Sequence, residues 1–524
     1  MKKVLVIGLD GATWDLIKPW AKEGRLPTFK MLMKEGVHGE LESTVPSWTI
    51  PAWNSMTTGK NPGKLGVFSF MSRVSGSYKF VPYFFVVKKL RNIWDILSDT
   101  GRKVTILNLP NIHSSYRVNG YMIAGWLYQS EEALTYPNSL KDKIDKISNG
   151  YEVDVMEVDI LTGEIIKHPT KDERYAKTVD RIMSKRFKIL QSLLEEKWDL
   201  FFAVLTSPDR IQHRFWRDKK FILNCHKKID TILRKLLQKI GKDVILVLVS
   251  DHGFGSRDRI FNINEWLIKK GYLKLKRKKT SPLLHLKLFL QKIQLYFLVK
   301  QWIRLLPFKF VRTLRKKSRP FGIERANVDW KNTKAFAYAV TGDMYINLKG
   351  RDKYGTIEPQ EYETFREELI HELENLRDPD TGTKIHPRIY RKEEIYQGKE
   401  LEKAPDLIIQ VDSNINSVVP TIGTNKIFER GEKWDGTHRI NGIFLAYGPG
   451  IKRGVEIKDA KIYDIAPTIL HISNLPIPDD MDGRVLTEIF KEESEFTSRK
   501  VKFVKPEEQR IKDKIKKLRK TGKI

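Results

Sequence analysis

The chain has 524 residues, 40% of them hydrophobic, with 95 Lys/Arg against 65 Asp/Glu for a formal charge of +30. This composition sustains a large core and excludes disorder as the overall state, while a single cysteine, Cys225, excludes a disulfide framework and any multi-thiolate metal site and suits a reducing cytoplasm. The charge is local: residues 274–322 hold 15 Lys/Arg and no acid, residues 499–524 hold 12 against three, and only +6 remains on the rest of the chain.

The first predicted element is a strand, Val4–Leu9, ending at Asp10. Behind Met1-Lys2-Lys3 it superficially resembles a signal peptide, but its six-residue apolar run is too short for an h-region. No stretch reaches the roughly 18 uninterrupted apolar residues of a membrane-spanning helix. Thr49 follows within Pro46-Ser47-Trp48-Thr49-Ile50-Pro51-Ala52-Trp53. Pro51 suits a helix first turn, so Thr49 is expected at a helix N-terminus, where the dipole favours a phosphate. Next come a helix at Leu90–Leu97, a strand at Lys103–Leu107, a helix at Glu173–Glu196 and a strand at Leu200–Leu205. That strand leads into Thr206-Ser207-Pro208-Asp209, with His213 one helical turn further on. A helix at Phe221–Ile240 precedes the strand Val244–Val249, which ends in Ser250-Asp251-His252-Gly253. Downstream lie a helix at Gln360–Leu376, strands at Asp406–Val411 and Gly442–Tyr447, and the element Gly436-Thr437-His438.

Strands alternating with helices predict an α/β fold with a largely parallel central sheet covered by helices on both faces. Ligands of such sheets collect outside the carboxyl ends of the strands, and Asp10, Asp209 and Asp251 all fall on that edge. We expect a catalytic core at 1–270, resumed at 326–495, an insertion at 271–325 and a basic tail at 496–524. The insertion couples Lys274-Leu275-Lys276-Arg277-Lys278-Lys279 to the Leu-, Phe- and Trp-rich Leu283–Leu306, interrupted by Lys287, Lys292, Lys300 and Arg304. It reads as an amphipathic lid over the site or as an element lying on an anionic membrane surface through 274–322. Nucleic acid is disfavoured as a partner, because clustered Lys/Arg comes without a recognised motif.

Three aspartates, three histidines and one hydroxyl suffice for a two-metal phosphoryl-transfer site, in which two cations about 4 Å apart hold a nucleophile between them. Carboxylate with imidazole suits Zn best, with Mn and other divalent ions as alternatives. The natural partition gives one metal Asp10, Asp251, His252 and the Thr49 hydroxyl, and the other Asp209, His213 and His438. Each residue alone has an ordinary structural reading: Asp10 as a turn residue, Asp209 and His213 as a helical pair, His438 as a loop histidine. Arg210 and Arg214 flank Asp209 and read as surface salt-bridging residues or as a phosphate clamp. Trp14, Trp48 and Trp53 form either an apolar wall for a leaving group or core.

The motifs Gly8-Leu9-Asp10-Gly11, Thr49-Ile50-Pro51, Asp209 with His213, Asp251-His252-Gly253 and Gly436-Thr437-His438 resemble, in type and order, the alkaline phosphatase superfamily in its type I phosphodiesterase/nucleotide pyrophosphatase branch. Tyr463-Asp464-Ile465-Ala466-Pro467-Thr468-Ile469-Leu470 and Met481-Asp482-Gly483-Arg484 resemble its closing helix and loop. The resemblance implies an alkaline-phosphatase-like fold, two zinc-type ions partitioned as above, and a covalent phospho-threonine on Thr49 resolved by water from the opposite face. It also implies an asparagine three residues after the nucleophile that holds a phosphate oxygen; this chain departs from that pattern with Ala52, leaving Asn54 as the substitute candidate. A sulfatase is excluded, because Thr49 cannot become formylglycine. The expected activity is hydrolysis of a phosphodiester or pyrophosphate in a small-molecule or lipid-linked substrate. Alternatives on the same site are a phosphomonoesterase, a phosphonate hydrolase or a phosphotransferase. An alternative of another class is a membrane- or polyanion-binding protein with a vestigial site. The expected location is the cytoplasm, including the inner membrane face.

Overall fold

The computed structural model describes residues 2–524 except 88–89, 127–129, 156, 159–164, 168–171, 277–322, 324–326, 339–341, 381, 411–416, 431–434 and 507–524. The basic segment 277–322 and most of the basic tail therefore lie outside the described residues. On either side of the first, Leu275 and Val328 form a β-bridge, and Lys276 N–H donates to the Asn327 carbonyl at 2.7 Å.

The main sheet is built from β1 (Lys3–Leu9), β2 (Val37–Glu42), β3 (Val104–Leu109), β4 (Gly120–Ala124), β5 (Thr135–Tyr136), β6 (Leu200–Leu205) and β7 (Val244–Val249). A short strand β8 (Gly253–Ser256) pairs with β9 (Gly436–Arg439), and β10 (Asn441–Tyr447) and β11 (Val455–Lys461) complete the main sheet. Its nine strands run in the order β11-β2-β10-β7-β1-β6-β3-β4-β5. Strands β7, β1, β6, β3 and β4 are mutually parallel, while β10 and β5 join antiparallel at either side. Every residue of β6 and β7 is buried, as continuous apolar runs covered on both faces require.

Four helices place the chemistry: α1 (Thr49–Thr58), α2 (Asp172–Leu193), α3 (Ser207–Phe215) and α4 (Lys219–Lys239). Helix α4 buries Ile222, Cys225, His226, Ile229, Leu233 and Leu236, a stripe at helical spacing. Cys225 is thus a core residue, and burial pushes its thiol up to about 12.

The strand expected at Asp406–Val411 forms as Leu407–Gln410, but outside the main sheet. It belongs to a four-stranded sheet with Ala335–Ala337, Asp343–Ile346 and Arg388–Arg391, over a second core that includes Trp266, Phe336, Leu369 and Leu407. An apolar run reports burial and is silent about which sheet buries it.

Register explains the convergence of the site. Gly8 stands opposite Val249, and Leu9 opposite Leu205, so Asp10 and Asp251 leave adjacent strands at the same level and Thr206 leaves the third. One strand spacing, about 4.8 Å, separates such neighbours.

Candidate metal and catalytic site

The Trp53 ring of helix α1 packs against Gly8 of β1. A Cβ on that glycine would come within 2.4 Å of Trp53 Cη2, so the close approach requires glycine. Trp53 Nε1 then donates to Asp10 Oδ2 at 3.4 Å. On the other side of Asp10 the chain turns at Gly11, with φ of +69°, and its N–H donates to Asp251 Oδ1 at 3.2 Å. Pairing of β8 with β9 places Phe254 opposite His438, bringing the remote Gly436-Thr437-His438 element to the sheet edge. The first turn of α3 carries Asp209, and its last turn carries His213.

The seven predicted residues form two adjoining clusters. In the first, His252 Nε2 lies 3.3 Å from Asp251 Oδ2, 3.7 Å from Asp10 Oδ1 and 3.5 Å from Thr49 Oγ1. In the second, Asp209 Oδ1 lies 3.2 Å from His213 Nε2 and 3.3 Å from His438 Nε2, and the two Nε2 atoms are 3.0 Å apart. The clusters touch through His252 and His438, whose rings stack at 3.6 Å between centroids. Thr49 opens α1, which has no side-chain N-cap.

The hydrogen bonds around these groups fix what they present. His252 Nδ1 faces the Gly253 carbonyl, His213 Nδ1 that of Gly436 and His438 Nδ1 that of Ser47, each at 3.0 Å. A carbonyl only accepts, so every Nδ1 carries the proton and every Nε2 presents a lone pair to its cluster. Asp10 Oδ1, Asp209 Oδ1 and Asp251 Oδ2 are buried and have no hydrogen-bond partner among the described residues. With neutral imidazoles, lone pairs on nitrogen and oxygen thus face one another in both clusters, an arrangement that a shared proton or a cation relieves. Asp209, His213 and His438 on one side, and Asp10, Asp251 and His252 on the other, meet the spacing for holding a cation. A divalent ion is the group this donor set fits.

Electrostatics agree. Burial, then the Asp251 and Asp209 carboxylates, holds Asp10 well above the usual carboxylate range; burial, then Asp209, does the same to Asp251. Burial opposes ionisation of Asp209 too, but His213, His438 and Arg210 outweigh it and hold that carboxyl low. Burial lowers His252 and His438, favouring neutral imidazoles.

Several neighbours differ from expectation. Asn54 Nδ2 donates to the Ile50 carbonyl at 2.8 Å and Asn54 Oδ1 accepts from Asn111, so its amide serves the helix and not a phosphate oxygen. Arg210 is buried instead of lying at the surface, and Arg214 pairs with Asp172 at 2.7 Å. Trp53 packs under the site and Trp14 donates to the Gly39 carbonyl, leaving Trp48 as the site-facing tryptophan of the three. Phe70 and Trp126, which sequence reasoning missed, extend it. Trp48 lies 4.7 Å from His438, Phe70 meets Trp48 at 6.2 Å and Trp126 at 5.8 Å, and Arg210 sits 5.0 Å over Trp126. Trp126 lies just past the carboxyl end of β4, so the sheet-edge rule could have found it. Phe70 carried no such signal.

A largely parallel sheet with carboxylate–imidazole clusters at its carboxyl edge defines an alkaline-phosphatase-like hydrolase. More narrowly, residues 4–431 match the profile of the type I phosphodiesterase / nucleotide pyrophosphatase family, and the chain belongs to this metal-dependent family. His438 lies beyond the matched stretch. No curated protein matches the sequence. Among solved structures, murine ectonucleotide pyrophosphatase/phosphodiesterase 5 is similar with a TM-score of 0.51 at 14% identity, covering 94% of this chain and 100% of that one. Its human counterpart gives 0.49 at 15% identity, over 90% and 95%. An inactive murine variant in complex with AMP gives 0.49 at 14%, over 91% and 96%. At 14% identity the first of these likenesses concerns the fold alone.

Proposed function

We propose that the chain is a two-metal phosphohydrolase that cleaves phosphodiester or pyrophosphate bonds through a covalent phospho-threonine on Thr49. The observation that carries this reading is the set of three imidazole Nε2 lone pairs aimed at three buried carboxylate oxygens that have no hydrogen-bond partner among the described residues, with Thr49 Oγ1 beside His252. Asp10, Asp251, His252 and Thr49 would hold one divalent ion, and Asp209, His213 and His438 the other, with Zn the best match to the donors and Mn an alternative. Such ions lower the pKa of a bound hydroxyl and take up charge on phosphoryl oxygens.

Thr49 Oγ1 gives up its proton to solvent and forms a bond to phosphorus as the bond to the leaving oxygen breaks, and that oxygen departs with the bonding pair and takes up a proton from solvent. The α1 dipole favours the charge that gathers there. Water entering from the opposite face then bonds to phosphorus, the bond to Oγ1 breaks and Thr49 regains its proton. The arc of Trp48, Phe70 and Trp126, running from His438 to Arg210, offers an apolar surface to an aromatic leaving group, in keeping with a nucleotide-like small molecule. A lipid-linked phosphoester and an anionic membrane surface reached through 274–322 stay within the proposal, as do the boundaries at 270, 326 and 495. With one cysteine, the chain is at home in a reducing cytoplasm.

Elemental analysis of purified protein, with bis-aryl phosphodiester hydrolysis before and after chelation, tests the proposal. About two metals per chain, with activity lost on chelation and restored by Zn or Mn, is the expected result. A metal-free, inactive protein that cannot be reconstituted would overturn it in favour of a vestigial site.

A further inference from the structure

The buried pair Arg210–Asp154 takes no part in the reaction drawn above, yet it is tied to one candidate ligand. Arg210 Nη1 donates to Asp209 Oδ2 at 2.6 Å. Its Nε and Nη2 donate to Asp154 Oδ1 and Oδ2 at 3.0 and 3.2 Å, a two-pronged bond that fixes the plane of the guanidinium. Asp154 also accepts from Thr206 Oγ1 at 3.4 Å, and Thr206 Oγ1 accepts from the fully buried Arg186 at 3.1 Å. Arg186 lies on α2, so Asp209 is referenced to a helix that carries none of the seven site residues. The two oxygens of Asp209 are thereby made unequal: Oδ2 is occupied by Arg210, and Oδ1 is the atom turned to His213 and His438.

We infer that Arg210, held by Asp154, is a positioning residue that restricts Asp209 to a one-oxygen ligand and sets the affinity of the Asp209–His213–His438 cluster for its ion. This rests on the two-metal reading. Charge alone argues the other way, since a guanidinium beside a cation site repels the cation. The Asp154 carboxylate cancels that repulsion, so the pair contributes orientation at no net charge. Three of the five guanidinium N–H groups of Arg210 are engaged by carboxylates, so its charge is compensated and its plane is fixed toward Asp209, which suits positioning better than clamping a phosphate.

Removing Arg210 alone would leave Asp154 buried without its counter-charge and confuse folding with positioning. The informative variant is the double substitution Arg210→Met with Asp154→Asn, which preserves net charge. Arg210→Lys keeps the charge and loses the fork. Zn affinity is read by competition against a chromophoric chelator, with circular dichroism and thermal melting of the metal-free proteins as controls. In the full-length protein we expect two Zn equivalents in the wild type. In the double variant one equivalent should weaken by about 10- to 100-fold while the other is unchanged, the size typical of losing a group that orients a ligand. Arg210→Lys should weaken the same equivalent. Two equivalents of wild-type affinity in either variant would overturn the inference, as would equal weakening of both equivalents. A wild type that binds no Zn or Mn would instead defeat the two-metal reading itself, so the failures are distinguishable.

Discussion

Replacing Thr49 with alanine separates chemistry from structure more cleanly than any other change in this chain. Thr49 is 6% exposed and begins α1, and its Oγ1 lies 3.5 Å from His252 Nε2, at the outer limit of hydrogen bonding. Loss of one hydroxyl and one methyl should cost about 1 kcal/mol of stability. A chain of 524 residues unfolds with an entropy near 1 kcal/mol per degree, at about 2 cal/mol/K per residue, so the melting temperature should move by about one degree. The six candidate carboxylate and imidazole ligands survive, so metal content should not change. Turnover should fall by about 10⁴-fold or more, over 5 kcal/mol in activation free energy, because only binding and electrostatic assistance remain. Thr49→Ser retains the nucleophile and should keep activity within about tenfold. The assay is bis-aryl phosphodiester hydrolysis, alongside elemental analysis and a thermal melt of each variant. An alanine variant that is folded, metal-loaded and retains more than about a tenth of wild-type activity would refute a threonine intermediate.

Chelation should lower the melting temperature by about 4 °C per emptied site if ions stand a thousandfold above their dissociation constants, since that excess is worth about 4 kcal/mol. Unchanged melting would contradict the metal-holding reading of both clusters. Gly8→Ala should destabilise by about 1–3 kcal/mol, because the new Cβ meets Trp53 and Val204, and should also reduce turnover by displacing the indole that donates to Asp10. Full activity with a shifted melt would show that Trp53 does not position Asp10. His226 offers a pH test remote from the site: burial takes its imidazole from 6.5 down to about 4. The unfolded chain then binds more protons between those values, so stability rises with pH across that window and is lost on acidification, by roughly 3 kcal/mol in full. His226→Leu should reduce the slope of melting temperature against pH between pH 6.5 and 4, to which other buried histidines such as His252 and His438 also contribute; an undiminished slope would assign the acid lability elsewhere.

The sheet and its active edge were legible because parallel, doubly buried strands write themselves as unbroken apolar runs. Leu200–Leu205 and Val244–Val249 form with the ends expected, and Asp209 and Asp251 follow them at the carboxyl edge. His438 was legible only through the motif; nothing in its local sequence reveals that Gly436–Arg439 pairs with Gly253–Ser256. Asn54 and Trp53 were ambiguous for another reason. Both lie on α1, where a rotation of one residue exchanges the site-facing and sheet-facing sides. Arg210 defeated surface reasoning because its partner, Asp154, lies 56 positions away in an irregular segment. A long-range ion pair has no periodicity to read.

The charge of the site bears on which phosphoester it prefers. Asp10 and Asp251 bring two negative charges to the first cluster and Asp209 one to the second, while Arg210 and Asp154 cancel. With a divalent ion in each, the first cluster is neutral and the second carries one positive charge. That matches the single negative charge of a phosphodiester and leaves one charge of a dianionic monoester unanswered. Both arginines of α3 are paired with carboxylates, Arg210 with Asp154 and Asp209 and Arg214 with Asp172, so neither brings an uncompensated positive charge to meet it. An unanswered unit charge at about 4 Å is worth between about 1 and 4 kcal/mol, depending on how far water reaches in. We therefore expect kcat/KM for a bis-aryl phosphodiester to exceed that for the aryl phosphate with the same leaving group by about tenfold or more. The aryl phosphonate monoester, singly charged, should group with the diester. Equal rates on monoester and diester would mean that a further cation reaches the phosphate, and the charge balance drawn from these residues would be wrong.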